Sequence, residues 1–452
     1  MRSLKQMSRR SLLWLIALLI GAVGLTALPA AAATPDPGYD GNVHFLQAEG
    51  AVTPYLMNQQ IDNLYNGSPG CTLDANPTGF NFNNCQVTTL ATAPVGANFD
   101  HNVVSRAFQI TSGNGLAMLQ HTAYPGVVTP TVAAGHRLEI ADTNRAPVTD
   151  TSIPQVSPDP AGLTWFSTGK DAQALWTFKG RTMANSVPLG LSLATLQHIF
   201  LDCTITTWNQ IPGAFATDTA SINLYGPAFT AGTYVDVTKY LFQGIPNAAA
   251  TFPNGMNQCI LSRFGSSHLI TVNNSAPIEA DPQGGNALWW ASNGVLTAHP
   301  PLRGTGSAWT LLDGVVLNNA TTSCFSSITT PPTPDTCDPA NGGPGKWPVQ
   351  QEFFDVTLSQ ANTASPAVTP GTDPPGIGQL GAVRAYRDWV CKTSANSITN
   401  PTTGRKYRVD IVSKVTAEGF VAPPANQTNQ STDPGNVNPS TGASDSCIWF
   451  TF

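Results

Sequence analysis

The chain has 452 residues, 41% hydrophobic and only 11% charged, with 40 Gly, 37 Pro and a formal net charge of −6. This length exceeds a single compact core, so two lobes are expected, and many turn formers with few charges give an extracellular character. The negative balance argues against nucleic acid or an anionic membrane surface as a partner.

Residues 1–33 read as a secretory signal peptide. Arg2, Lys5, Arg9 and Arg10 precede an apolar run at 12–28, and Ala31-Ala32-Ala33 offers a small-residue cleavage site before Thr34. The Arg9-Arg10 pair is compatible with twin-arginine export, while the apolar run suits the general route. Loss of the four cations moves the formal charge to −10, with 17 cations against 27 anions. An anion receptor with that balance must work through local N–H groups and hydroxyls. No cysteine near the cleavage site invites a lipid anchor, and no later run is long and apolar enough to span a membrane, so the expected location is secreted and extracellular.

Eight cysteines in an oxidising compartment point to disulfides, with 105 possible pairings. Proximity in sequence favours Cys71 with Cys85, Cys203 with Cys259, Cys324 with Cys337, and Cys391 with Cys447. A metal site is disfavoured, because there is no Cys-x-x-Cys pair and none of the seven histidines sits close to a cysteine. No cofactor is implied.

In chain order, residues 43–47 read as a strand. Thr53 as N-cap and Pro54 at the first helical position then start a helix whose apolar face is Met57, Ile61, Leu64 and Tyr65, ended by Asn66-Gly67. Residues 103–110 read as a second strand, Thr111-Ser112-Gly113-Asn114-Gly115 as a glycine loop, and 116–120 as the opening of a helix. A strand at 137–140 ends in Ala141-Asp142-Thr143-Asn144-Arg145-Ala146-Pro147. A helix at 191–200 follows, then a strand at 222–224, the small-residue turn Tyr225-Gly226-Pro227-Ala228-Phe229-Thr230-Ala231-Gly232-Thr233, and a helix at 234–242.

Such a turn leaves free N–H groups at the positive end of a helix dipole, which suits an oxyanion. Alone, each of these junctions is ordinary loop chemistry, and Thr230 and Thr233 would merely cap a helix. Four such ends in one chain point to a ligand at the carboxyl ends of parallel strands. Stretches 329–345, 365–378 and 422–444 read as loops, the last rich in Asn, Pro and Ser and mobile.

Enzyme motifs are missing. There is no Gly-x-Ser-x-Gly, His-Glu-x-x-His, Walker lysine or paired-carboxylate pattern, so the chain does not read as an enzyme. His198 falls within a helix pattern as a structural residue, and Trp289-Trp290 reads as core rather than as a sugar platform.

Together these pieces resemble the phosphate-binding proteins of ABC transporters, within the type II periplasmic binding proteins. The Thr53 helix start, the strand end before Ala146-Pro147, Ser112-Gly113-Asn114-Gly115 (similar to a Gly-Ser-Gly-x-Gly loop) and Thr230-Ala231-Gly232-Thr233 (similar to a Gly-Ser-Gly-Thr turn) carry the resemblance. The most specific piece is the helix at 191–200 followed by Ile205-Thr206-Thr207-Trp208-Asn209, similar to the family's leucine-threonine helix and Thr-x-Trp segment. The resemblance covers roughly 43–294.

It implies an α/β, two-lobed fold with mixed sheets and a hinge, lobe 1 from 34–170 and 350–452, lobe 2 from 171–349. Carried over, Thr53, Ser112, Gly113, Gly232 and Thr233 bind the oxyanion. Thr230 substitutes for a family serine that is Ala231 here, Pro227 replaces a family arginine, and Arg145 replaces a family aspartate. A guanidinium in the cleft would take any tetrahedral or planar oxyanion bidentately, phosphate or phosphate-like ones included; otherwise Arg145 turns outward or pairs with Asp142. Asp171 is expected to cap or join the lobes. The implied protein is a monomeric, secreted solute-binding protein whose partners are a small anion and an ABC transporter permease. The alternative is an extracellular binding or adhesion module with a degenerate site.

Overall fold

The computed structural model describes residues 45–66, 68, 80–81, 102–104, 111–123, 138–159, 161–178, 191–211, 217–298, 309–311, 349–359, 367–368, 380–391, 399–420, 422 and 449–451. The expected signal peptide, Cys71, Cys85, Cys324, Cys337, Cys447, and the loops at 329–345 and 423–444 lie outside these described residues.

The first strand, β1 (Phe45–Gly50), is followed by α1 (Tyr55–Asn66). Met57, Ile61 and Tyr65 are fully buried, as the helical spacing predicts. Between the two elements Gly50 takes φ 154°, and a Cβ there would lie 2.1 Å from the Asp142 carbonyl oxygen. Only glycine allows that approach, which presses the β1–α1 turn onto the end of β4 (Ile140–Thr143).

Helix α2 (Ser112–Ala123) begins four residues before the expected start at Leu116. The reason is a local cap: the Asn114 amide donates to Thr111 Oγ1 at 3.3 Å and the Gly115 amide to the Thr111 carbonyl at 2.9 Å. The expected glycine loop is therefore the first turn of a helix.

β3 (Asn102–Val104) and β4 both pair with β1 in parallel. The chain then runs through the 16-residue strand β5 (Leu163–Phe178), which sequence reading did not isolate. Its first half pairs antiparallel with β10 (Gln350–Leu358) as far as Ala172; from Gln173 it pairs with β8 (Ala287–Ser292). β8 is parallel to β6 (Asn223–Pro227), and β6 to β7 (Leu269–Ile270). One strand thus crosses from one lobe to the other. Ala367 and Val368, within the expected loop at 365–378, instead pair with Phe80 and Asn81 as a short two-stranded sheet.

Each lobe has its own core. Met57, Ile61, Tyr65, Phe166, Phe353 and Tyr386 form one, covered by α9 (Leu380–Cys391) and α10 (Tyr407–Ala417). Leu196, Phe200, Trp208, Leu224, Tyr234 and Trp290 form the other, which includes α3 (Leu193–Phe200) and α4 (Gly232–Leu241). Trp289 and Trp290 are both fully buried on opposite faces of β8, with Trp289 in a cluster beside Tyr225 and Ile278. The architecture is the mixed α/β, two-lobed one expected.

Cys203 and Cys259 form a disulfide with Cα atoms 5.5 Å apart, bracing the second lobe. Cys391 is also disulfide-bonded, its partner outside the described residues. Asp171 caps α8 (Asn293–Ala298): the Gly294 amide donates to its Oδ1 at 2.9 Å and the Ser292 hydroxyl to its Oδ2. No helix among the described residues is long and apolar enough to cross a membrane.

Candidate functional site

A cavity of about 190 Å³ opens where the ends of β1 and β4 face the turn before α4. Thr53, Ser112 and Gly232 line it, together with Thr111, Asn144 and Thr271, and with Val52, Leu269, Ile270 and Val272. The starts of α2 and α4, one from each lobe, converge here. N–H groups in a helix's first turn have no intrahelical acceptor, and the aligned peptide dipoles place partial positive charge at that end.

The lobes touch directly. The Gly113 amide donates to the Thr230 carbonyl at 2.9 Å, so Gly113 and Thr230 meet each other through their backbones at the edge of the cradle. A Cβ on Gly113 would lie 3.1 Å from that carbonyl oxygen, and one on Gly232 would lie 2.2 Å from Asn144 Oδ1. Both glycines permit close approach between lobes.

Asn144 is the central polar residue, and sequence reading passed over it. Its Oδ1 accepts from Ser112 Oγ at 2.6 Å, and its Nδ2 donates to Gln351 Oε1 at 2.9 Å and to Thr53 Oγ1 at 3.4 Å. Asn144 and Arg145 lie in the bend that follows β4, where the side chain after Asn144 is free to turn away from the cleft. Arg145 does so. Its guanidinium is bidentate to Asp159, Nη1 to Oδ2 at 2.5 Å and Nη2 to Oδ1 at 2.8 Å, and it does not line the cavity. The expected alternative partner, Asp142, is not the one it uses. Asp159 lies fourteen residues along the chain, beyond the reach of any local pattern.

Thr53 also departs from expectation. Rather than capping α1, its Oγ1 accepts from Asn144 Nδ2 and, across the cleft, from Asn273 Nδ2 at 3.2 Å. No acceptor among the described residues takes the Thr53 hydroxyl proton, although the side chain is only 3% exposed. A buried hydroxyl that accepts twice and donates to nothing lacks an acceptor, and it borders the cavity.

Thr233 lies behind the cradle. Its hydroxyl donates to Gln173 Oε1 and accepts from Gln351 Nε2, both at 3.3 Å. Gln351 Nε2 also donates to Asp236 Oδ2 at 3.0 Å. Burial pushes the Asp236 carboxyl up to about 7, against the opposing pull of Gln351, Lys239 and Arg145.

No protein-family model matches the chain, and no curated protein matches it by sequence. Solved structures with similar folds include a protein from Clostridium perfringens assigned as a phosphate ABC transporter substrate-binding protein, with phosphate bound. It is 14% identical, the match covers 84% of this chain and 99% of that one, and the TM-score is 0.42. A phosphate binding protein from Stenotrophomonas maltophilia is 15% identical over 84% of this chain and 91% of that one, with a TM-score of 0.41. An ABC-type phosphate transport receptor from Vibrio cholerae is 13% identical over 71% and 88%, with a TM-score of 0.33. With all three TM-scores below 0.5, the likeness carries no argument about this chain.

Proposed function

We propose that the protein is a secreted solute-binding protein that captures a small oxyanion, phosphate or phosphate-like, between its lobes. The observation that carries this reading is the buried Thr53 hydroxyl, which borders a cavity at two converging helix starts and has no acceptor for its proton among the described residues. An anion oxygen there would accept from Thr53 and from the first turn of α4, where each charge-assisted hydrogen bond contributes roughly 1.5–3 kcal/mol. Ser112 donates to Asn144, an amide that cannot act as a base, so the cavity is built for binding rather than nucleophilic chemistry.

In this reading lobe 1 comprises 34–170 and 350–452 and lobe 2 comprises 171–349, with β5 as the crossing strand. Delivery to an ABC transporter permease, or sensing, is the role that the sequence resemblance implies. One observation favours the second reading, an extracellular binding module with a degenerate site: Ser112 Oγ and the Gly113 amide are already engaged by Asn144 and Thr230.

A thermal-shift panel of phosphate, sulfate, phosphonates and carboxylates separates the two, since a ligand of the native state raises the midpoint by mass action. Binding that is lost in Gly232→Ala, whose methyl would displace the Asn144 amide, supports the anion site. No shift with any oxyanion leaves the degenerate module.

A further inference from the structure

The walls of the cavity constrain its occupant beyond the presence of an anionic head. None of its lining residues is charged. The neighbouring cation, Arg145, is consumed by Asp159. What remains is the positive end of α2 and of α4, each equivalent to roughly half an elementary charge, so together they balance about one negative charge and leave a dianion uncompensated in a partly apolar space.

Size and polarity point the same way. At about 190 Å³ the cavity exceeds the roughly 150 Å³ that houses a benzene-sized molecule, so a five-atom tetrahedral head leaves room for further carbon atoms. Val52 from the β1–α1 turn, Leu269 and Ile270 from β7, and Val272 beyond it border that space. Ile270 and Val272 are 6% and 7% exposed, so an alkyl group beside them would also leave water. An inorganic oxyanion would set bare oxygens against these hydrocarbons and leave them without hydrogen bonds.

We infer that the site takes a small organic monoanion, an oxyanion head at the Thr53 hydroxyl and the start of α4 carrying a short alkyl arm against Val52, Leu269, Ile270 and Val272. This rests on the anion-binding reading above and narrows it from inorganic phosphate to an alkyl-substituted acid. The head is either a phosphonate or a carboxylate, which share the required oxygens and differ in geometry.

The test is titration calorimetry on the full exported chain at about pH 5.5, where phosphate and the alkylphosphonates are mainly monoanions and the carboxylates are mainly ionised. One arm uses inorganic phosphate followed by methyl-, ethyl- and propylphosphonate; the other uses acetate, propionate and butyrate. Affinity should rise about fourfold with each added methylene in the series whose head fits, until the cavity is full. Val272→Thr, similar in shape but polar, should flatten that rise. If circular dichroism shows that this variant does not fold, Val52→Thr at a more exposed position takes its place. A rise in either series that the variant flattens supports the inference and identifies the head. Inorganic phosphate binding as tightly as every alkylphosphonate, with no rise among the carboxylates, overturns the alkyl arm and leaves the anion site standing. A rise that neither variant changes overturns the assigned wall. No binding by any compound overturns both this inference and the reading beneath it.

Discussion

The backbone amide of Gly113, in the first turn of α2, donates to the carbonyl of Thr230 in the turn before α4, at 2.9 Å. This bond ties one lobe to the other at the mouth of the cleft. Proline is tolerated in a helix's first turn but has no N–H to give, and its ring would press on the Thr230 carbonyl, so Gly113→Pro removes the tie and forces the contact apart. The loss should cost roughly 0.5–1.5 kcal/mol of inter-lobe contact and enlarge the radius of gyration measured by small-angle scattering. An unchanged radius would show that other contacts hold the lobes together.

Arg145 stabilises the fold through Asp159, which also accepts from the Val148 amide at 2.8 Å. Arg145→Ala leaves a buried carboxylate without its cation and should destabilise the protein by about 3–5 kcal/mol in urea unfolding. The double variant Arg145→Ala with Asp159→Ala should recover part of that loss, because no unpaired charge remains. Equal stability of the single variant and the wild type would refute the structural role.

Asp236 predicts a pH dependence. Its carboxyl sits at about 7 in the folded chain against a reference of 3.8, so in that window the native state keeps a proton that the unfolded state releases. Stability should therefore fall as pH rises from about 4 to about 7, by at most about 1.4 kcal/mol per pH unit, and lose this slope outside the window. Urea midpoints across the range check this, with Asp236→Asn as the control expected to be flatter. A wild-type curve matching that of the variant would exclude Asp236 as the source.

The Cys203 to Cys259 bridge closes a loop with a sequence separation of 56 residues. In the chain-entropy account a loop of this length is worth about 4 kcal/mol, so Cys203→Ser with Cys259→Ser should lower stability by an amount of that order. Because Cys259 lies in the same core as Tyr234 and Val237 of α4, the loss should also weaken anion binding. Peptide mapping that found both thiols free in the wild type would remove the basis for this expectation.

Much of the fold was written in local patterns. Pro54 followed by Met57, Ile61 and Tyr65 specifies a helix start and its buried stripe, because a fixed proline φ and a 3.6-residue period act over a few residues. The Trp289-Trp290 pair could be read as core for the same local reason. The crossing strand β5 could not be read this way, because Lys170 and Asp171 lie in its middle and resemble a turn; burial comes from β10, where Glu352 pairs in register with Lys170 from almost two hundred positions away. The site divides along the same line. Sequence alone placed Thr53, Ser112 and Gly232 at element ends, where unpaired N–H groups and small residues gather. Only the tertiary structure decided that Asn144 rather than Arg145 faces the cleft. The two residues are neighbours in the bend after β4, and which one turns inward depends on how the end of β4 is set against β1, the start of α2 and Asp159. That arrangement is long-range, and no short motif encodes it.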